Sequence, residues 1–277
     1  MKPSSVGRVL LILFFLSPCS TTFSQQSNST AIPLESLKSP DWERREVAYE
    51  KIRDNTQALQ RSDVRNVLVD LLDLENQVIH RTLNDSNGGV GVSGKYGEGY
   101  SEYILQLVGT VGKVMDWHDP HQVCVLSQTA YEPGTVLADK IAVKGGAAAV
   151  PCLLKMVEGR MYGRSDSPEV RLIDRDKSIP VLVQLSAVTK DLSPSAQKQI
   201  QQAITGGLQD SSTSVREDTV QAVGKFGTPD VIPTLEAIAR SDPYSWLKDG
   251  KQFFEIRELA TKAIKSIRER AAKAPSV

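Results

Sequence analysis

Val215-Arg216-Glu217-Asp218-Thr219-Val220-Gln221-Ala222-Val223 returns 41 residues later as Ile256-Arg257-Glu258-Leu259-Ala260-Thr261-Lys262-Ala263-Ile264. An apolar residue, an arginine and an acid are followed, one and a half turns on, by a small–large apolar pair. Near the start, Arg45-Glu46-Val47-Ala48 and then Ile52 match Arg257-Glu258-Leu259-Ala260 and then Ile264. The spacing within each copy is that of one helix face, and a repeat near 40 residues points to stacked helix pairs. The alanine lets neighbouring helices approach, while the branched residues fill the layer between them.

A second phrase, apolar–proline–any–leucine, occurs as Val150-Pro151-Cys152-Leu153, Ile179-Pro180-Val181-Leu182 and Ile232-Pro233-Thr234-Leu235. Three residues after each leucine stands Met156, Leu185 or Ile238. Proline fits a helix's first turn, where its missing amide proton costs nothing. Elsewhere, Ser39-Pro40-Asp41 reads as a helix start with Ser39 as cap and Trp42, Val47 and Ile52 as the apolar stripe. Ser62-Asp63 opens a second helix along Val64, Val67, Leu68, Leu71 and Leu72. Residues 84–99 read as a glycine-rich loop, and Tyr103, Leu107, Val111 and Val114 follow at helical spacing. Further helices are expected over 120–131, 135–143, 147–158, 168–190, 194–208, 213–226, 229–240 and 252–270, with Pro180 placed to kink one of them. No run alternates with period two between turn signals, so no strand is expected. The fold class is all-α: an α-solenoid of stacked antiparallel helix pairs over residues 37–272, with a short tail at 273–277.

The stretch Leu208-Gln209-Asp210, Val215-Arg216, Ala222-Val223-Gly224, Phe226-Gly227, Pro229, Ile232-Pro233 and Leu235 resembles a HEAT-like repeat, of the short variety associated with phycobilisome bilin lyases. The resemblance is densest over 208–240, extends to 249–270, and thins toward 39–75 and 100–190. It implies a concave binding face. It also implies that Asp210 and Arg216 brace neighbouring repeats, with Arg257 and Arg45 as their counterparts.

Lys2 and Arg8 precede an apolar run at 9–16 (VLLILFFL), and Thr22 and Ser24 stand before Gln25 as a cleavage site would require. That order predicts a secretory signal peptide over 1–24, followed by a polar linker at 25–36. Eight apolar residues are too few to span a bilayer. An uncleaved anchor and acylation at Cys19, within Leu16-Ser17-Pro18-Cys19, stay open as alternatives. The expected compartment is therefore the periplasm or the exterior, with no membrane span once the leader is gone. The whole chain balances 33 basic against 33 acidic residues, and loss of Lys2 and Arg8 leaves it at −2. Nucleic-acid binding, which needs clustered excess Lys and Arg, is not expected. Cys124 and Cys152 either pair, as an oxidising compartment would allow, or sit as buried thiols.

The remaining motifs carry little chemistry. Gly89-Val90-Gly91-Val92-Ser93-Gly94 spells the dinucleotide fingerprint, but it lacks the strand that must precede it. Asp116-Trp117-His118-Asp119-Pro120-His121 gathers two histidines and two carboxylates in a proline turn, and polar residues collect in such turns without a metal. His80 stands alone on a helix, as a surface or packing residue. Asn28 and Asn84 are glycosylation acceptors only in a eukaryotic host. No nucleophile elbow or activated cysteine is present, so no catalytic residue, cofactor or metal is assigned. Tyr96, Tyr100 and Tyr103 behind the glycine loop, and Tyr244 and Trp246 in the loop before the last helix, are the candidate contact residues. The expected function is a non-enzymatic scaffold for a protein or peptide partner. A lyase-like enzyme related to bilin lyases, or a metal-dependent module at His118 and His121, are the alternatives.

Overall fold

A computed structural model describes residues 34–85, 92–129, 135–160 and 168–273, all within one unit, Ile32–Val277. The expectations placed on residues 1–33, 86–91, 130–134, 161–167 and 274–277, including the leader, Cys19, Asn28 and the first half of the glycine fingerprint, lie outside the described residues.

The fold is an all-α solenoid. After a 3₁₀ turn at Leu34–Lys38 come α1 (Trp42–Arg53), α2 (Thr56–Gln60), α3 (Ser62–Asp85), α4 (Val92–Tyr96), α5 (Glu98–Val114) and α6 (Pro120–Ser127). Next are α7 (Thr135–Lys140), a π turn at Ile141–Gly145, a 3₁₀ turn at Gly146–Ala149, and α8 (Val150–Val157). The chain continues with α9 (Pro168–Val188), α10 (Pro194–Leu208), α11 (Thr213–Phe226), α12 (Ile232–Ser241) and α13 (Glu255–Lys273). Helices α9, α11 and α13 lie side by side in one layer, with α8, α10 and α12 packed behind them. Helix α3 packs on α5, α6 and α9, and so ties the first half to the second.

Local chemistry sets the boundaries. Asp41 caps α1 by accepting from Glu43 N at 3.0 Å, and Ser39, the expected cap, accepts instead from Asp41 N. Asp119 and Ser193 cap α6 and α10, each ahead of a first-turn proline. Val47 is exposed, and the buried side of α1 is Arg45, Ala48, Tyr49 and Ile52. Pro151 and Pro233 stand in first turns, and Pro180 lies inside α9, where the helix expected over 168–190 placed it. Its phrase is therefore a coincidence of letters, in a different helical register from the other two.

Close approach depends on small residues. A methyl on Gly207 would lie 2.6 Å from Thr219 Oγ1 and 2.9 Å from Ile179 Cγ2, so α10 meets α9 and α11 at that point. A methyl on Gly224 would come within 3.2 Å of the Ala263 Cβ, where α11 lies on α13.

One expectation fails outright. Trp246–Lys248 (β1) and Lys251–Phe253 (β2) form a two-stranded antiparallel hairpin where only helix and loop were expected. Asp249 and Gly250 both have positive φ, 52° and 74°, which is the twisted two-residue turn that Asp-Gly favours.

Candidate binding surface

The arginine expected to brace the repeats has a third copy that the phrases did not reveal. Arg175, Arg216 and Arg257 stand 41 residues apart, each at the same register of α9, α11 and α13. Arg216 donates from Nε and Nη2 to the Asp242 carboxylate at 2.8 and 3.3 Å, and from Nη1 to the Asp210 carbonyl at 2.9 Å. Arg175 grips the Asp210 carboxylate in the same way, at 2.7 and 3.3 Å. Arg257 donates to the Asp242 carbonyl at 2.7 Å. Each aspartate thus accepts from one arginine through its carboxylate and from the next through its main chain. Both also fix their own turns, Asp210 through Ser212 N and Asp242 through Tyr244 N. At the other end of the chain Arg45 repeats the scheme, with a bidentate grip on Glu75 at 2.6 and 3.0 Å and a bond to the Ser39 carbonyl at 2.7 Å.

Tyr100 and Tyr103 belong to that interior and not to a contact surface. Both are fully buried, and their hydroxyls donate to Glu75 at 2.7 and 3.0 Å. Burial, then the negative charge of Glu75, pushes both phenols upward, so they remain donors. Trp42 and Tyr49 pack on their rings, and Tyr96 lies half-buried over Tyr100. Sequence spacing could not separate an aromatic cluster packed around a buried ion pair from one turned to a partner.

A polar seam runs where α3, the end of α6 and α9 meet. Asn76 donates to the Val125 carbonyl, and Lys177 to the Thr129 carbonyl. His80, held neutral by burial, faces the Gln128 main chain. Asn76 Oδ1, Gln128 Oε1 and Thr129 Oγ1 are buried without a hydrogen-bond partner among the described residues. A cavity of about 50 Å³, lined in part by Thr129, Lys177 and Ser178, has room for a water or two beside Thr129. Asp174 is 3% exposed and sits at the register where α11 and α13 carry Val215 and Ile256. Burial raises its carboxyl to about 7 against the pull of Lys177 and Arg175. Across α9 and α11, Asp218 is pushed up to about 6 by burial and then by Asp176 and Glu217.

Cys124 and Cys152 are bonded to each other and join α6 to α8. The His118 and His121 amides donate to Asp116 and Asp119, which uses those carboxylates as turn formers. Among the described residues no group of three His, Cys, Asp or Glu converges as a metal site requires.

Tyr244 and Trp246 lie in the link between α12 and α13, Tyr244 half-buried and Trp246 38% exposed at the base of the hairpin. Trp246 packs edge-on against Phe253, and its indole N–H reaches Glu255 at 3.1 Å. Leu247, which no spacing argument singled out, is 73% exposed. Lys248 stands opposite Lys251 in the register and covers the Phe253 ring.

Residues 183–250 match the family model described as HEAT repeats, a span that takes in α10, α11, α12 and the first strand of the hairpin. No curated protein and no solved structure matches the chain.

Proposed function

We propose that the chain is an exported scaffold that holds a protein or peptide partner and performs no catalysis. HEAT repeats commonly serve as protein-interaction scaffolds, and the repeat match and the solenoid support that part of the reading. The observation that carries it is the hairpin. Asp210 and Arg216 stand six positions apart, whereas their counterparts Asp242 and Arg257 stand fifteen apart. The extra chain forms β1 and β2, and α12 is correspondingly shorter than α10. Bracing by Arg216 and Arg257 reaches Asp242 without using any residue of the two strands. A hairpin that the bracing does not use, displaying Trp246 and Leu247, is where a repeat protein would carry its contacts.

Export is supported by the leader-like residues 1–24 and by the Cys124–Cys152 bond, which an oxidising compartment preserves. The experiment is affinity capture from the exported fraction of the native host, using the tagged full-length gene and N-terminal sequencing of the product. One partner enriched over a mock bait, with a product starting at Gln25, is expected. A folded bait that enriches nothing would sink the scaffold reading, and an intact leader on a cytoplasmic product would sink export.

A further inference from the structure

We infer that the Trp246–Phe253 hairpin binds an extended acidic peptide by taking it up as a third strand, which rests on the scaffold reading above. The two strands pair only with each other, so each keeps an outer edge. Lys248 and Lys251 flank a two-residue turn and form the hydrogen-bonded pair closest to it. The next pair inward, Leu247 and Gln252, therefore directs its amides and carbonyls outward, one residue on each edge. Main-chain donors and acceptors in extended register are satisfied by another polypeptide strand and not by a phosphate or a lipid headgroup.

Charge identifies the kind of strand. Lys248 and Lys251 are held directly opposite one another, an arrangement that destabilises a strand pair on its own. Neither has an ion-pair partner among the described residues, and Asp249 between them pairs with neither. Glu255, which follows the second strand, is already engaged at the base of the hairpin, where it accepts from Trp246. The tip therefore holds two facing lysines that no carboxylate among the described residues pairs with. A strand laid along the edge with carboxylates over the tip and apolar side chains over Trp246 and Leu247 supplies what is missing. Exposed lysine–carboxylate pairs are individually weak, so the complex should be weak and salt-sensitive.

The test selects a displayed library of random twelve-residue peptides on the full chain at low salt, and measures the winners on variants. The expected winners carry Asp or Glu at one end of a short apolar run, to meet Lys248 or Lys251 at the tip and Leu247 and Trp246 behind it. They should bind Lys248→Glu/Lys251→Glu roughly tenfold more weakly, the loss of two exposed ion pairs. Leu247→Pro or Gln252→Pro, which removes one outward amide from an edge strand that tolerates proline, should abolish binding on that edge. Unchanged far-ultraviolet circular dichroism in each variant shows that the solenoid is intact. Winners without acidic excess, winners indifferent to all these variants, or no winners at all would overturn the inference. So would anionic phospholipid vesicles binding with the same lysine dependence when no peptide does. If the partner captured from the host is retained by Lys248→Glu/Lys251→Glu, the hairpin inference fails and the scaffold reading survives.

Discussion

Replacing Asp174 with valine should stabilise the protein at neutral and alkaline pH and do much less in acid. Arg175, Arg216 and Arg257 define one register, and the residue before each faces the core: Asp174, Val215 and Ile256. Two repeats fill that position with a branched apolar side chain, and one fills it with a carboxyl that burial raises from 3.8 to about 7. Such a carboxyl costs the fold about 4 kcal/mol once fully ionised, a large share of an ordinary domain's net stability. The sign follows from the raised value. Below about pH 4 both folded and unfolded chains are protonated at this site and no penalty exists. Between there and pH 7 only the unfolded chain gives up the proton, so stability falls as pH rises, and above about pH 8 the whole penalty is present. Asp174→Val should therefore be more stable than the parent by about 4 kcal/mol at pH 8. Buried apolar surface adds roughly 1–2 kcal/mol that does not vary with pH. Urea unfolding followed by circular dichroism at about pH 4.5 and about pH 8 reads the difference directly. A gap of the same size at both pH values, or a valine variant less stable at pH 8, would refute the assignment of Asp174 as a buried carboxyl out of place in the repeat.

Arg216→Ala leaves Asp242 buried with its charge unanswered, and should cost about 3–5 kcal/mol in urea unfolding. Glu75→Gln removes the charge that Arg45, Tyr100 and Tyr103 share, and should lower the melting temperature by a comparable free energy, read by calorimetry. Reducing the Cys124–Cys152 bond opens a loop with a sequence separation of 28 residues and should cost about 3.5 kcal/mol on the chain-entropy model, seen as a lower melting temperature with dithiothreitol. Gly207→Ala improves helix propensity by about 1 kcal/mol in isolation. Here it should nonetheless destabilise by about 1–3 kcal/mol, since the methyl meets Thr219 and Ile179, and a gain in the melting midpoint would contradict the packing described.

The repeat was legible in the residues because it rests on periodicity. An apolar stripe at helical spacing must be buried wherever it occurs, so Val215, Ala222 and Val223, and their copies at Ile256, Ala263 and Ile264, fix helices and layer before any contact is known. The bracing roles of Asp210 and Arg216 followed from the resemblance, but the partner carboxylate of Arg216 is Asp242, not Asp210. The hairpin leaves only its turn residues, Asp249-Gly250, as a trace in the sequence, because its strands are three residues long and show no alternation.

Spacing determined that this chain is helical and repetitive, and composition that it is close to neutral, because those properties are sums over local choices. Only the tertiary structure decided which polar groups are buried. Tyr100, Tyr103, Glu75, His80 and Asp174 sit on ordinary helical positions, and the first four meet polar partners at least 25 residues away in the chain. Burial is a property of what a neighbouring helix covers. The same tyrosine that reads as a contact residue in the sequence becomes a core donor once α3 brings a carboxylate to it, and Leu247, unmarked in the sequence, is left in water because nothing packs over it.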